Sequence, residues 1–242
     1  AVCNGVLYFS ANDGVNGGEL WRSDGTSAGT QMLKDITPGS NSNPAFMVDV
    51  NGVLYFTIGN NNPIVANRGL WKSDGTAVGT LKVAGTYSNS VGSGFIIPTD
   101  LINVGGTLFF IGHWPSLPAG RTLWKSDGTE TGTVMVSTNT TRFPFGIAPA
   151  YLAALNNEVF FAAKIDSEGG GALWKSDGTE AGTVMVKDMN LSSVDGGVQF
   201  LTIINNTLFF AGNTDNANSE LWKSDGTEAG TALVKDIDPG SS

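Results

Sequence analysis

Short apolar segments separated by turn residues follow one another along the whole chain. Segments such as VLYFS (6–10), VLYFT (53–57) and TLFFA (207–211) alternate with stretches rich in Gly, Asn, Asp and Ser. Gly or Pro interrupts the sequence about every ten residues, and no stretch has the 3.6-residue period of an amphipathic helix. This pattern predicts an all-β protein built from many short strands.

The segments belong to a repeat of about 50 residues. The strings GELWRSDGTSAGT, RGLWKSDGTAVGT, RTLWKSDGTETGT, GALWKSDGTEAGT and SELWKSDGTEAGT are spaced 50, 53, 50 and 48 residues apart, counted between their tryptophans. These tryptophans are Trp21, Trp71, Trp124, Trp174 and Trp222. Five copies therefore cover the chain.

Each copy contains four predicted strands, which we label a to d. Strand a covers 46–50, 101–104, 151–155 and 200–204 in the last four copies. A two-residue turn such as Asn51-Gly52 follows, typical of a type I′ hairpin. Strand b is apolar throughout, which indicates burial on both faces. Strand c carries LW followed by Lys or Arg, and strand d follows the SDGT segment.

A four-stranded antiparallel unit repeated five times predicts a five-bladed β-propeller, with one domain over residues 1–242 and a ring closed by the N- and C-terminal segments. The alternative is an open array or a segment of a longer one. Aligning 239–241 with 38–40 leaves about six residues unmatched before the pattern resumes at Ala1. We therefore expect that the chain is not the entire natural polypeptide.

The five strings resemble the ELWxxDGT repeat family of secreted bacterial proteins over essentially the whole chain. The resemblance implies an extracellular or cell-surface location within large multidomain proteins, a propeller-like fold, and no assigned biochemical activity for most members. The Glu before LW is present only at Glu19 and Glu220. Five-bladed tachylectin-type sugar-binding propellers are similar in blade number and length, but their motifs are absent.

Composition narrows the function. The net charge of −9 disfavours nucleic acid, and the short apolar runs exclude membrane insertion through a spanning helix. One cysteine, Cys3, and one histidine, His113, leave little material for a hydrolytic triad or a zinc site. We expect no catalysis; a glycosidase is the least favoured hypothesis, kept because five-bladed propellers host such enzymes.

The repeated Asp and Trp residues are interpreted as structural. Asp followed by Gly and Thr can close its own turn, and a Trp at a constant place in a short strand supplies apolar area. The Lys or Arg after each Trp is expected to make a local ion pair or cation–π contact. The structural set is Trp21, Asp24, Trp71, Asp74, Trp124, Asp127, Trp174, Asp177, Trp222 and Asp225.

The variable loops predict the binding surface. In an antiparallel four-stranded unit the a–b and c–d turns lie at one end, which we call the turn end, and the longer b–c and d–a connections lie at the other, the loop end. Aromatic rings beside Arg, Asn and Asp suit a sugar. The competing interpretations are that these aromatics plug the loops or contact a protein. The candidate ligand-binding residues are His113, Trp114, Arg121, Arg142, Phe143, Phe145 and Tyr87.

Two loops also supply enough hard oxygens for a weak calcium site. No cofactor is required, and calcium is a hypothesis. The preferred ligands are Asn213, Asp215, Asn218 and Glu220, and the alternative set is Asn12, Asp13, Asn16 and Glu19.

The sequence thus predicts a secreted, non-catalytic, lectin-like module that binds carbohydrate through the loop end. The alternative is a structural or adhesion module of a larger extracellular protein that contacts proteins rather than glycans.

Overall fold

A computed structural model describes residues 1–59, 61–62, 64–84, 86–89, 92–95, 97–113, 121–136, 149–164, 171–189, 197–213 and 219–237. In these ranges the secondary structure is β, apart from one 3-10 turn, Val65–Asn67. None of the described helical segments is long and apolar enough to span a membrane.

The chain divides into two compact units, residues 1–116 with 124–134 and residues 117–123 with 135–242. The first unit contains two complete sheets. The first sheet has the order β1 (Val2–Cys3), β2 (Val6–Asn12), β3 (Gly18–Ser23), β4 (Gln31–Lys34). The second has the order β5 (Ala45–Val50), β6 (Val53–Ile58), β7 (Gly69–Ser73), β8 (Leu81–Ala84).

A two-stranded antiparallel hairpin follows, made of β9 (Thr86–Asn89) and β10 (Gly92–Phe95). The sequence pattern predicts an irregular d–a connection over residues 84–99, and the paired strands β9 and β10 show that this prediction is wrong there. Its alternation of small and polar residues does not resemble the apolar strands of the repeat, so the pattern concealed it.

The third sheet has the order β11 (Ile97–Val104), β12 (Thr107–His113), β13 (Arg121–Ser126), β14 (Val134–Met135). The division between the two units passes through it.

The second unit contains the remaining two sheets. The fourth has the order β15 (Ala150–Leu155), β16 (Glu158–Lys164), β17 (Gly171–Ser176), β18 (Val184–Asp188). The fifth has the order β19 (Gln199–Ile204), β20 (Thr207–Gly212), β21 (Glu220–Ser224), β22 (Ala232–Lys235).

Five four-stranded antiparallel sheets in sequential order match a five-bladed β-propeller, and the predicted fold class is confirmed. Closure of the ring by the terminal segments and the single-domain assignment stay predictions.

The a–b turns confirm the predicted type I′ geometry, which needs positive φ at both central residues. Asn51 and Gly52 have φ of 54° and 80°, and Asn156 and Asn157 have 52° and 61°. Asn and Gly tolerate this conformation better than other residues, which explains the composition of these turns.

Each unit has an apolar core between consecutive sheets. In the first unit Tyr8, Leu20 and Ile36 of the first sheet and its d–a connection pack with Leu54, Phe56 and Trp71 of the second. In the second unit Phe160 and Leu173 of the fourth sheet pack with Leu208, Phe210 and Trp222 of the fifth. Strand b is buried on both faces where a sheet lies between two others, as β6 shows.

Candidate functional site

The five SDGTxxGT loops at the turn end share one hydrogen-bond pattern. In the second loop, Asp74 Oδ1 accepts bonds from the backbone N–H and the hydroxyl of Thr76, at 2.9 and 2.7 Å. Thr76 Oγ1 accepts a bond from the Gly79 N–H at 2.9 Å, and the Ser73 and Thr80 hydroxyls are 2.8 Å apart. The Asp–Thr contact recurs at Asp24, Asp127, Asp177 and Asp225.

These contacts explain the chemistry of the repeated Asp. The hydrogen bonds donated by the following Thr hold the pKa of Asp24, Asp74, Asp127 and Asp225 below the ordinary 3.8. A Cβ built on Gly79 would overlap the Asp74 carboxylate, and the same holds for the corresponding glycine of every loop. Each carboxylate is therefore engaged inside its own turn, as a structural role requires.

The Lys or Arg after the Trp makes different contacts in different copies: Lys175 forms an ion pair with Glu158 of its own sheet at 3.1 Å, whereas Arg22 and Lys72 reach the next sheet. Arg22 Nη1 donates to the Gly75 carbonyl and Lys72 Nζ to the Gly128 carbonyl, both at 2.9 Å. The positive charge of Lys72 also lowers the pKa of Asp127, in the loop of the following sheet. The expected local pairing is therefore wrong for these two residues, because the side chains bridge neighbouring sheets.

The repeated Trp residues pack in the sheets. Ring centroids lie 6.2 Å apart for Phe56–Trp71, 6.1 Å for Phe110–Trp124 and 6.4 Å for Phe210–Trp222, with the rings stacked. Trp71 Nε1 donates to the Asn67 carbonyl at 2.7 Å. A Cβ on Gly112 would overlap Trp124, so a small residue is needed there.

Glu19 anchors the connection that follows the first sheet. Its side chain is fully buried; Oε2 accepts bonds from the Ile36 N–H and the Ser42 hydroxyl, and Oε1 accepts from the Ser42 N–H. Glu220 Oε2 accepts a bond from the Ile237 N–H in the corresponding place. The Glu of the motif thus fastens the chain after strand d.

Several of the candidate calcium ligands already accept hydrogen bonds within the protein. Asn213 is buried and its Oδ1 accepts a bond from the Gly197 N–H at 2.9 Å. In the alternative set, Asp13 accepts three bonds within its own turn and Glu19 has the contacts given above. No group of three or more acidic, His or Cys side chains suited to a metal is present among the described residues. Asp215 and Asn218 lie outside them, and calcium stays a hypothesis.

The candidate ligand-binding residues fall mostly where the structure gives no description. Arg121 is the exposed first residue of β13. His113 ends β12 and Tyr87 lies in β9, but their side chains are outside the described part. Trp114, Arg142, Phe143 and Phe145 lie outside the described residues altogether. Whether these side chains meet stays a prediction.

The structure instead draws attention to the start of strand a, at the loop end. Four sheets carry a bulge there, marked by a register shift against strand b. In each, a residue other than Gly has positive φ, between 48° and 56°: Phe46, Asp100, Tyr151 and Phe200. Bulky residues rarely adopt this conformation, and such strain clusters at functional sites.

Three of these four residues are aromatic and solvent-exposed. Phe46 is 46%, Tyr151 42% and Phe200 67% exposed. Tyr151 and Phe200 lie in the same unit with ring centroids 5.5 Å apart and a 54° tilt. The bulge therefore holds large apolar rings out in water at equivalent places in three sheets.

Phe46 borders a groove of about 180 Å³ in the first unit. The groove is lined further by Asn43, Thr57, Asn61, Asn62 and Thr99, and no lining residue carries a formal charge. Asn62 is buried and held in place, with Nδ2 donating to Thr37 Oγ1 at 2.8 Å and Oδ1 accepting from the Ile64 N–H at 2.7 Å. The exposed Phe46 ring thus shares the groove with neutral polar residues, of which Asn43 and Asn61 are exposed while Thr57 and Asn62 are buried. We call this the Phe46 groove.

Sequence reasoning missed these residues. An aromatic residue occurs at the second position of strand a in three copies, which was a usable signal. Aromatic residues in apolar strands are ordinarily core residues, however, and nothing in the pattern reports a positive φ.

Comparisons with known proteins support the propeller fold but do not identify a family. No protein-family model matches the chain, and no curated protein sequence matches it. The ELWxxDGT resemblance therefore stays a prediction.

Solved structures of propeller hydrolases are similar in fold. A puromycin hydrolase matches at a TM-score of 0.57 and 12% identity, over 96% of this chain and 38% of that one. A GH74 xyloglucanase from Xanthomonas campestris matches at 0.57 and 16%, over 96% of this chain and 36% of that one. A prolyl endopeptidase matches at 0.55 and 8%, over 94% and 32%. This chain spans about a third of their length, and the likeness shows the fold alone.

Proposed function

We propose that this protein is a non-catalytic module that binds carbohydrate at the loop end of its sheets, with the Phe46 groove as one subsite. The observation that carries the proposal is the strained, exposed ring of Phe46 beside neutral amide and hydroxyl groups. A sugar ring presents an apolar C–H face bordered by hydroxyls. In this groove the Phe46 ring can stack on the C–H face, and the neutral amide side chains can form hydrogen bonds with the hydroxyls.

The size and charge of the groove support a small neutral ligand. Its volume of about 180 Å³ is below the ~300–1,000 Å³ of drug-sized ligand sites, so it suits a single ring. The uncharged lining suits a neutral sugar, and the net charge of −9 works against anionic ones.

Repetition supports multivalent binding. Tyr151 and Phe200 offer a second aromatic platform at the equivalent place in the other unit. Two weak sites that engage one polysaccharide raise the overall affinity without any new contact.

We propose binding without catalysis because the groups that line the Phe46 groove are amides, hydroxyls and an aromatic ring. These groups do not titrate near neutral pH, so they cannot act as a general acid or a general base. The hydrolase neighbours do not decide this point at their low identity. The proposal includes secretion, which rests on the repeat resemblance, and requires no cofactor.

A glycan array with the wild-type protein and with Phe46→Ala tests the proposal. We expect specific binding by the wild type and about fivefold weaker binding by the variant, from the loss of a stacking contact of ~1 kcal/mol. Val78→Ala is the control, because Val78 is an exposed apolar residue in an SDGT loop at the turn end.

A blank array with every sample would contradict carbohydrate binding and favour the protein-adhesion alternative. Retained binding in both Phe46→Ala and Phe200→Ala would move the site to the variable loops, where Trp114→Ala is the next variant.

Repeating the array with chelator tests the calcium hypothesis, and assays on model glycosides test catalysis.

A further inference from the structure

A buried hydrogen-bond network lies behind the Phe46 groove, in the first unit. It joins the connection that follows β4 to the loop between β6 and β7, of which residues 59, 61–62 and 64–68 are described. We call this loop the groove loop, because it supplies Gly59, Asn61 and Asn62 to the lining of the groove. Whatever fixes the groove loop therefore fixes one wall of the candidate site.

Thr37 lies at the centre of this network. Its side chain is fully buried, and its Oγ1 accepts a hydrogen bond from Asn62 Nδ2 at 2.8 Å and another from Asn67 Nδ2 at 3.1 Å. Asn67 Nδ2 also donates to the Ile36 carbonyl at 3.0 Å. One threonine hydroxyl thus holds the groove loop at two separate points, although Thr37 itself does not line the groove.

Further contacts of the groove loop depend on the same two asparagines. Asn62 Oδ1 accepts a bond from the Ile64 N–H at 2.7 Å, and the Asn62 carbonyl accepts one from Arg68 Nε at 2.9 Å. The Asn67 carbonyl accepts a bond from Trp71 Nε1 at 2.7 Å. Side-chain hydrogen bonds, together with the 3-10 turn, therefore hold the groove loop in place.

The first sheet holds Thr37 in turn. The Ile36 N–H donates to Glu19 Oε2 at 2.9 Å, and the Thr37 carbonyl accepts a bond from the Ser40 N–H at 2.9 Å. Glu19 and Thr37 are both fully buried, so neither side chain can exchange its partners for water. In the second copy Gly69 takes the place of Glu19 and offers no side chain for the same anchor. The network thus belongs to the first two sheets and is not repeated in every copy.

We infer that Thr37 is a positioning residue for the Phe46 groove, because it keeps the groove loop in its binding conformation without lining the groove. The inference rests on the proposed function, which takes this groove as a carbohydrate site. Asn62 already donates through Nδ2 and accepts through Oδ1 within the protein, whereas Asn61 is exposed. Asn62 therefore maintains the wall, and Asn61 is the amide of the groove loop that meets a sugar hydroxyl.

Affinity separates a positioning role from a purely structural one. A loop that occupies its binding conformation for only a fraction of the time weakens the apparent affinity by that fraction. A loss of stability elsewhere leaves the fraction unchanged as long as the protein remains folded. A positioning residue therefore changes Kd, and a purely structural residue changes Tm alone.

Binding to the glycan array over a range of protein concentrations tests the inference with the wild type, Thr37→Val and Thr37→Ser. Valine keeps the shape of Thr37 and removes its hydroxyl, whereas serine keeps the hydroxyl. We expect Kd to rise about fivefold or more in Thr37→Val, the factor set by one lost hydrogen bond, and to stay within about twofold of the wild type in Thr37→Ser.

Thr80→Val is the matched control. Thr80 is also fully buried, and its hydroxyl contacts the Ser73 hydroxyl at 2.8 Å and the Thr76 carbonyl at 2.6 Å, at the turn end of the second sheet. This variant should lower Tm and leave Kd unchanged. A Thr37→Val protein with a lower Tm but the Kd of the wild type would overturn the inference.

A measurement without glycan keeps the inference separate from the proposed function. In proton–nitrogen correlation NMR spectra, the backbone signals of Asn61 and Ile64, which are linked to Thr37 through Asn62, should shift or broaden in Thr37→Val and stay in place in Thr37→Ser. A blank array with the wild type would contradict carbohydrate binding, and these signals would then decide whether Thr37 orders the groove loop. Signals that stay in place in Thr37→Val would overturn the inference in either case.

Discussion

The two ends of each sheet use the same unusual backbone conformation in opposite ways. At the turn end, positive φ falls on Asn and Gly, which adopt it at little cost. The Asp carboxylate of each SDGT loop accepts its hydrogen bonds from the Thr of the same loop, as Asp74 does from Thr76. At the loop end, positive φ falls on Phe46, Tyr151 and Phe200, for which it is costly. One end is optimised for stability, and the other retains strain.

The comparison indicates where function lies. A Gly or Asn at these loop-end positions would relieve the strain, and a smaller or polar residue would avoid exposing an aromatic ring. We expect a sequence to keep strained, exposed aromatic residues where they bind a ligand, at some cost in stability. The first sheet shows that the loop end also has firm anchors, because Glu19 fastens the following connection.

The largest expected effect is at Glu19. Replacing it by Ala leaves the buried Ile36 N–H without its acceptor and removes two bonds from Ser42, whose N–H keeps the Gly18 carbonyl as an acceptor. The free energy of unfolding should fall by about 3 kcal/mol, from ~1–3 kcal/mol for the unsatisfied N–H and ~1 kcal/mol for each lost bond. Calorimetry should record a fall in Tm of roughly 6–12 °C for a chain of this size. Glu220→Ala, at an exposed partner, is the control, with an expected effect below about 1 kcal/mol. Equal losses in the two variants would contradict the anchoring role.

The next effect sharpens the account of the turn end. Gly79→Ala forces the Asp74 carboxylate out of its turn, with a loss of about 2 kcal/mol of stability as its hydrogen bonds break. Val78→Ala in the same loop should stay within about 0.5 kcal/mol, because Val78 is exposed. Urea denaturation measures both. An unchanged midpoint for Gly79→Ala would show that the packing of Asp74 is dispensable.

A smaller effect of opposite sign is expected at the loop end. Phe46→Gly relieves a strained φ and should raise the free energy of unfolding by about 1 kcal/mol while it weakens glycan binding. Val48→Gly, in the same strand, is the matched control and should lose about 0.5–1 kcal/mol. Destabilisation by Phe46→Gly would mean that the ring contributes to packing.

The smallest effect is the pH dependence of the SDGT loops. The pKa of Asp74 in the folded protein lies below the ordinary value of 3.8. The ionised carboxylate therefore stabilises the fold fully above pH 3.8, and this stabilisation is lost as the pH falls through the lower pKa of the folded state. Thermal melts from neutral pH to below pH 4 should show a drop that is slightly smaller in Asp74→Asn. Parallel curves for the two proteins would contradict a stabilising charged Asp74.

Much of the architecture could be predicted from the sequence because it is repeated. Five copies of one motif predicted five four-stranded sheets, the Asn-Gly steps predicted type I′ turns, and the unbroken apolar strand b predicted burial on both faces. The same repetition marked Asp74 and its counterparts as structural. In each case the local residue choice and the fold require the same conformation, so the pattern is visible in the chain.

The remaining features depend on contacts between distant residues or on backbone angles. The sequence places Lys72 two residues before Asp74, yet the side chain reaches the Gly128 carbonyl, because stacking of the sheets brings that loop closer. Phe46 belongs to an apolar strand by its sequence, and only the bulge against strand b turns its ring into solvent. Leu7 and Leu221 are ordinary repeat residues, and whether they are buried depends on which sheets cover them. The repeated sequence therefore determined the sheets and turns, since these rest on local preferences, whereas tertiary packing decided the exposed surfaces on which function depends.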